Sequence, residues 1–392
     1  MTTKTLPIAR RMSEIEPFHV MDLLAEAKKL EAAGRDIVHM EVGEPDFLTP
    51  IPIVQAGLRA LERGEIHYTP AVGIAPLREA IARFYAERRG VTIPAGRVVV
   101  TPGASGALLL TAGILIDPGS QVLIADPGYP CNRHFIRLME GEAVRIPVGP
   151  DTGWQLTPEL IEKNWTDRTV AVLVGSPSNP TGTILPDPVL KGIVDVVERL
   201  GGTLIVDEIY HGLVHEGHVS TALRFSDDVI VINSFSKYFG MTGWRLGWVV
   251  APERQVREMD KLAQNIFLAP STIAQHAALA AFEPETIEIL EHRREEFRKR
   301  RDFLVPELRR LGFEIPVVPQ GAFYIYANVA NLTGDSDAFS RQLLNEAGVA
   351  ITPGRDFECG APDAHVRFAC TTSVERLAEG VRRIEQWLRE RR

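Results

Sequence analysis

The chain is poor in cysteine: Cys131, Cys359 and Cys370 form an odd, widely spaced set with no CxxC pair. That excludes a disulfide framework and leaves no zinc-ligand spacing, so no metal site is expected. No apolar run reaches membrane-spanning length, so no bilayer segment is expected. Residues 1–18 carry basic side chains but no apolar block, so a secretory signal is not expected and the default location is the cytoplasm. A basic excess is missing too. The net charge of −8 argues against a polyanion-binding face and hence against nucleic acid as a partner. Internal repeats and low-complexity segments are absent. What remains, 45% hydrophobic and 24% charged over 392 residues, is an ordinary globular composition long enough for two domains.

Apolar, β-branched runs alternate with helical patterns, which predicts a largely parallel sheet covered on both faces. Strands are expected at 37–42, 98–100, 122–125, 169–174, 203–206, 229–232 and 246–250, with helices near 53–63, 75–88 and 188–200. A long charged helix follows at 287–311, which Pro306 should kink or interrupt. Its basic run Arg298–Arg301, beside Glu295 and Glu296, reads as a solvated face. Shorter elements alternate after it, at 323–327, 336–347, 349–351, 366–369 and 373–389.

The polar clusters fall at the carboxyl ends of the strands, where ligands of such sheets bind. The central one is Asn233-Ser234-Phe235-Ser236-Lys237, followed at a short distance by Gly243-Trp244-Arg245. A buried amine has a lowered pKa and condenses with an aldehyde, while serine hydroxyls and a guanidinium suit a phosphate. An aldehyde and a phosphate on one small molecule point to pyridoxal phosphate. Thr101-Pro102-Gly103-Ala104-Ser105 joins a strand to a helix and so aims free amides at an anion, although it is neither a Walker A loop nor GxGxxG. Asp207 ends an apolar strand, where it either caps the strand or pairs with a pyridinium nitrogen. Asn179 and Tyr210 are candidates for the ring's phenolic oxygen, Asn179 being equally suited to an Asx turn. Tyr129 is a stacking aromatic or an ordinary turn residue. Gly43, in Gly43-Glu44-Pro45-Asp46, brings bare backbone to a surface or simply makes a turn.

Taken together, Ser234-x-Ser236-Lys237, Gly243-Trp244-Arg245-Leu246-Gly247, Asn179-Pro180-Thr181-Gly182 and Asp207-Glu208-Ile209-Tyr210 resemble the class I/II pyridoxal-phosphate aminotransferases of fold type I, the aspartate aminotransferase superfamily. The resemblance runs from about Ile37 to the C-terminus. It implies an α/β fold whose large domain, 46–285, holds a mostly parallel seven-stranded sheet flanked by helices. A smaller α+β domain would cover 286–392, and 1–45 would be an N-terminal arm and part of that smaller domain.

The resemblance also implies roles. Lys237 would form the Schiff base with pyridoxal 5'-phosphate and later shuttle a proton; Asp207 would pair with the pyridine nitrogen, and Asn179 and Tyr210 with the phenolic oxygen. Tyr129 would stack on the ring. Gly103, Ala104, Ser105, Ser234, Ser236 and Arg245 would hold the phosphate, with Tyr68 reaching that of a neighbouring subunit in a homodimer with shared active sites. Arg367, with Gly43 and Asn179, would take the substrate α-carboxylate. The implied reaction is ping-pong transamination between an L-amino acid and a 2-oxo acid, with β-elimination as in related C–S lyases as the alternative. Some dicarboxylate-preferring relatives carry lysine where this chain has Ser105, so a strict aspartate preference is not expected.

Overall fold

A computed structural model describes residues 7–391; the first six residues of the expected arm lie outside the described residues. The described residues form twelve strands: β1 (Val38–His39), β2 (Val98–Thr101), β3 (Gln121–Asp126), β4 (Glu142–Pro147), β5 (Thr169–Gly175), β6 (Thr203–Asp207), β7 (Ile230–Ser234), β8 (Gly247–Val250), β9 (Tyr324–Asn328), β10 (Val349–Ala350), β11 (Thr352–Pro353) and β12 (His365–Ala369). Seven form one sheet in the order β2-β8-β7-β6-β5-β3-β4. All its strands run parallel except β8, which is antiparallel to both neighbours.

Each central strand is apolar on both sides because helices cover both faces. Val98, Val100, Val172, Val206, Val231 and Trp248 enter one core cluster. Val99, Leu173, Ile205, Ile230, Ile232 and Val249 enter the other. The period of two along each strand deals alternate residues to the two cores. The antiparallel course of β8 has a consequence for the site. The chain leaves β7 at its carboxyl end and enters β8 at that same end, so the whole loop 235–246 stays at the ligand-binding edge of the sheet.

β9, β11 and β12 make a three-stranded antiparallel sheet, and β1 pairs in parallel with β10. The expected strand at 37–42 is thus only two residues long, the remainder leading out as loop towards the site. The edge strand β4 is absent from the sequence reading because it is mostly not fully buried, and its charged Glu142 and Arg145 interrupt the apolar pattern.

Pro306 does not interrupt the long helix, which runs over Pro284–Arg310 with the proline inside it. Nor is Arg298–Arg301 a solvated face. Arg298 and Lys299 face out, but Arg300 and Arg301 are buried. Arg300 is held bidentately by Asp46 at 2.7 and 3.0 Å and lies over the Phe47 ring at 4.9 Å. Arg301 donates to the Pro319 carbonyl at 2.8 Å and to Glu216 at 2.6 Å. A buried guanidinium whose partner is neutralised keeps its desolvation cost without the compensating charge. Asp46→Asn is therefore expected to destabilise by about 2–3 kcal/mol, seen as a lowered urea midpoint. Arg300→Met should cost less, because Asp46 is one-third exposed and can turn to water.

Candidate active site

A cavity of about 310 Å³ opens at the carboxyl ends of the parallel strands. The loops after β3, β5, β6 and β7 line it, as do the N-terminus of the helix Gly103–Leu115 and residues from β9 and β12. Twelve residues singled out in the sequence meet there: Gly43, Ala104, Ser105, Tyr129, Asn179, Asp207, Tyr210, Ser234, Ser236, Lys237, Arg245 and Arg367. Gly103 and Tyr68 are not among the lining residues. Gly103 sits directly behind the Arg245 guanidinium, and Tyr68 lies on the surface, 84% exposed.

One end of the cavity is built for an anion. The Ser234 hydroxyl donates to Ser236 Oγ at 3.0 Å and accepts from the Ser236 amide at 3.1 Å. Arg245, held in the left-handed region at φ 54°, donates from Nη1 to the Thr242 carbonyl at 3.1 Å. Among the described residues no carboxylate pairs with it. Glycine is required where these parts close on one another. A Cβ on Gly103 would lie 2.7 Å from Arg245 Nη2, and one on Gly247 would lie 2.8 Å from the Gly103 carbonyl carbon. Helix-terminal amides, two hydroxyls and a guanidinium that no carboxylate among the described residues pairs with suit a phosphate.

The middle of the cavity holds two ionisable groups with displaced pKa values. Lys237 donates to the Gly43 carbonyl at 2.6 Å. Loss of hydration lowers its amine from the ordinary lysine range to about 8, against the opposing pull of Glu44. Asp207 is raised to about 6, again chiefly by loss of hydration, although its carboxylate accepts from the Ile209 amide at 3.1 Å. A neighbouring cation would reverse that shift. The residues therefore fit a molecule with an anionic end, an aldehyde near Lys237 and a basic nitrogen near Asp207.

The far side holds Arg367, buried on β12. Its Nη1 donates to Asn179 Oδ1 at 2.9 Å and its Nη2 to the Glu41 carbonyl at 2.7 Å, while Nε has no partner. The guanidinium lies 4.2 Å from the Tyr324 ring and 4.7 Å from that of Phe357. Tyr324 links the parts, its hydroxyl 2.9 Å from that of Tyr210. It was not singled out in the sequence, where it is one aromatic in the strand pattern Tyr324-Ile325-Tyr326. Phe18 and Phe357 were likewise unmarked, being single apolar residues on loops. A Cβ on Gly43 would stand 2.0 Å from the Tyr324 hydroxyl oxygen. Gly43→Ala must therefore displace the ring on which Arg367 rests, and affinity for a carboxylate ligand at that side is expected to fall roughly 10–100-fold, with affinity for phosphate at the other end changed far less.

This geometry agrees with what comparison finds. Residues 35–384 match the model of the family described as aminotransferase class I and II. The chain is a class I/II aminotransferase. The aminotransferase is 38% identical to the valine–pyruvate aminotransferase of Mycobacterium tuberculosis, over 95% of this chain and 97% of that one. It is 36% identical to the aspartate aminotransferase of Thermotoga maritima, over 98% of this chain and 100% of that one. Among solved structures, an aminotransferase from M. tuberculosis superposes with a TM-score of 0.96 at 38% identity, covering 98% of this chain and 100% of that one. The aspartate aminotransferase of Thermus thermophilus with maleate gives 0.93 at 33%, over 97% and 100%. The aminotransferase thus has the fold type I architecture, and its activity is transfer of an amino group.

Proposed function

We propose that the cavity holds pyridoxal 5'-phosphate and that the enzyme cycles an L-amino acid against a 2-oxo acid, one after the other, at a single site. One observation carries this reading: an amine with a lowered pKa, an enclosed carboxylate and an anion cradle without a carboxylate of its own share one cavity with a buried arginine. The bound cofactor would supply an aldehyde for covalent attachment and a sink for the Cα electron pair. Ala104, Ser105, Ser234, Ser236 and Arg245 would fix its phosphate, with Gly103 giving the room. Asp207 would hold a proton on the ring nitrogen, Tyr210 and Asn179 would face the phenolic oxygen, and Tyr129 would cover the ring.

Lys237 would anchor the aldehyde and, once released by the incoming amine, carry the proton from Cα at its Nζ. Arg367 would take the α-carboxylate bidentately, with Gly43 and Asn179 beside it. We assign Tyr68 to the phosphate of a second copy in a homodimer. Its exposure, with Ile66 two residues before it exposed as well, supports a place at a subunit contact. A domain division into 46–285, 286–392 and an arm at 1–45 belongs to the same reading, supported by two small sheets that share no strand with the large one. So does a cytoplasmic location, supported by three free thiols. No helix among the described residues is long and apolar enough to cross a membrane.

The test is a donor–acceptor panel run as half-reactions, following the cofactor's absorbance. Amino transfer to a 2-oxo acid is expected. Release of pyruvate and a thiol from a cysteine conjugate, without transfer, would replace this reading by β-elimination.

A further inference from the structure

We infer that Arg133 reads the distal carboxylate of an acidic substrate, and that Glu16 is a built-in competitor for it. This deepens the transamination reading above and rests on it. Five cationic side chains line the cavity: Arg133, Arg145, Lys237, Arg245 and Arg367. Lys237, Arg245 and Arg367 have the tasks already given. Arg145 is tied down by Asp126 Oδ1 at 2.6 Å and the Phe357 carbonyl at 3.0 Å.

Arg133 is different. Its side chain is largely covered, 17% exposed, yet its hydrogen bond is from Nη2 to a single oxygen of Glu16 at 2.7 Å, and the Glu16 side chain is 62% exposed. An ion pair with so exposed a partner contributes little and yields readily to another carboxylate. Local structure gives no reason for a cation here. Arg133 lies in the first turn of the helix Cys131–Leu138, where the helix dipole favours negative charge. That same dipole adds to the pull on an incoming carboxylate. Ser105, which also lines the cavity, is neutral, so a distal acid has no lysine to meet at that position.

A substrate already gripped by Arg367 presents its second carboxylate at high effective concentration and displaces Glu16. When the substrate side chain is apolar, Glu16 keeps Arg133 neutralised, and Phe18, Val20 and Met21 offer it an apolar wall. One site thereby serves a neutral amino acid and a dicarboxylic partner in turn.

The experiment compares the holoenzyme with its Arg133→Met and Glu16→Gln variants. Substrates are aspartate with 2-oxoglutarate and valine with pyruvate, and maleate, an unreactive dicarboxylate, is titrated by calorimetry. In Arg133→Met, KM for the acidic pair and Kd for maleate should rise about 30-fold while the neutral pair stays within about twofold. The unchanged neutral pair also shows that the variant is folded. In Glu16→Gln, KM for the acidic pair should fall about threefold. Equal effects on both pairs, or an acidic KM untouched by Arg133→Met, would overturn the assignment and leave transamination standing. A wild-type enzyme that transfers nitrogen from neither donor would remove both.

Discussion

Lys237→Ala is expected to lower kcat by about four orders of magnitude or more, without unfolding the protein. A positioned general base contributes about 10²–10⁴-fold, and this side chain is assigned the covalent anchor as well. The amine touches little but the Gly43 carbonyl, so truncation removes one hydrogen bond and a desolvated charge. The two effects oppose each other in stability. Because the folded value, about 8, lies below the ordinary lysine range, the fold gains stability as pH rises from about 8 through that range, and the alanine variant should lose this slope. The same value sets the rate at which cofactor-free enzyme takes up the aldehyde. The neutral amine is the nucleophile, so uptake should quicken nearly tenfold per pH unit below about 8 and level off above it. Stopped-flow reconstitution and single-turnover half-reactions measure both. A variant that still transfers amino groups at near-native rates would refute the role given to Lys237.

Arg367→Ala should raise KM for every amino and oxo acid by roughly 10²–10³-fold, acidic and neutral alike. Charge-assisted hydrogen bonds are worth about 1.5–3 kcal/mol each, and a bidentate clamp makes two. Arg367→Lys keeps the charge but loses the fork, and an intermediate rise is expected. The uniformity across substrates separates this residue from one that reads side chains. Part of the loss comes from neighbours, since Asn179 and the Glu41 carbonyl lose a donor and Tyr324 loses the cation above its ring. A panel of steady-state constants decides it, and an effect confined to one substrate class would count against a shared α-carboxylate site.

The sequence showed the large sheet clearly because strands covered on both faces are apolar throughout, and Val98–Thr101 or Ile230–Ser234 have no other reading. Most of the candidate site was legible for a related reason. Polar residues at the carboxyl ends of such strands cannot scatter, and Tyr129, Asn179, Asp207, Tyr210, Ser234, Ser236 and Lys237 do line one cavity. Residues whose significance lies in what another element brings to them were not legible. Tyr324 looks like any strand aromatic until Gly43 and Arg367 are placed around it. Arg300 looks solvated until Asp46 and Phe47 are packed on it, since a charge pattern along a helix does not say which neighbour covers that turn. Arg367 stood out only through the family likeness, because one arginine in an apolar strand carries no local signal. Tyr68 is exposed in the single chain, so any role between copies rests on the likeness as well.

The clamp proposed for the α-carboxylate draws on opposite ends of the polypeptide, with Arg367 donating to the carbonyl of Glu41, 326 residues earlier. During synthesis, then, the residues assigned to the phosphate and Lys237 are made long before the guanidinium of the clamp. The clamp can be completed only after the strand His365–Ala369 has been made, so emergence of that strand from the ribosome would set the earliest onset of activity.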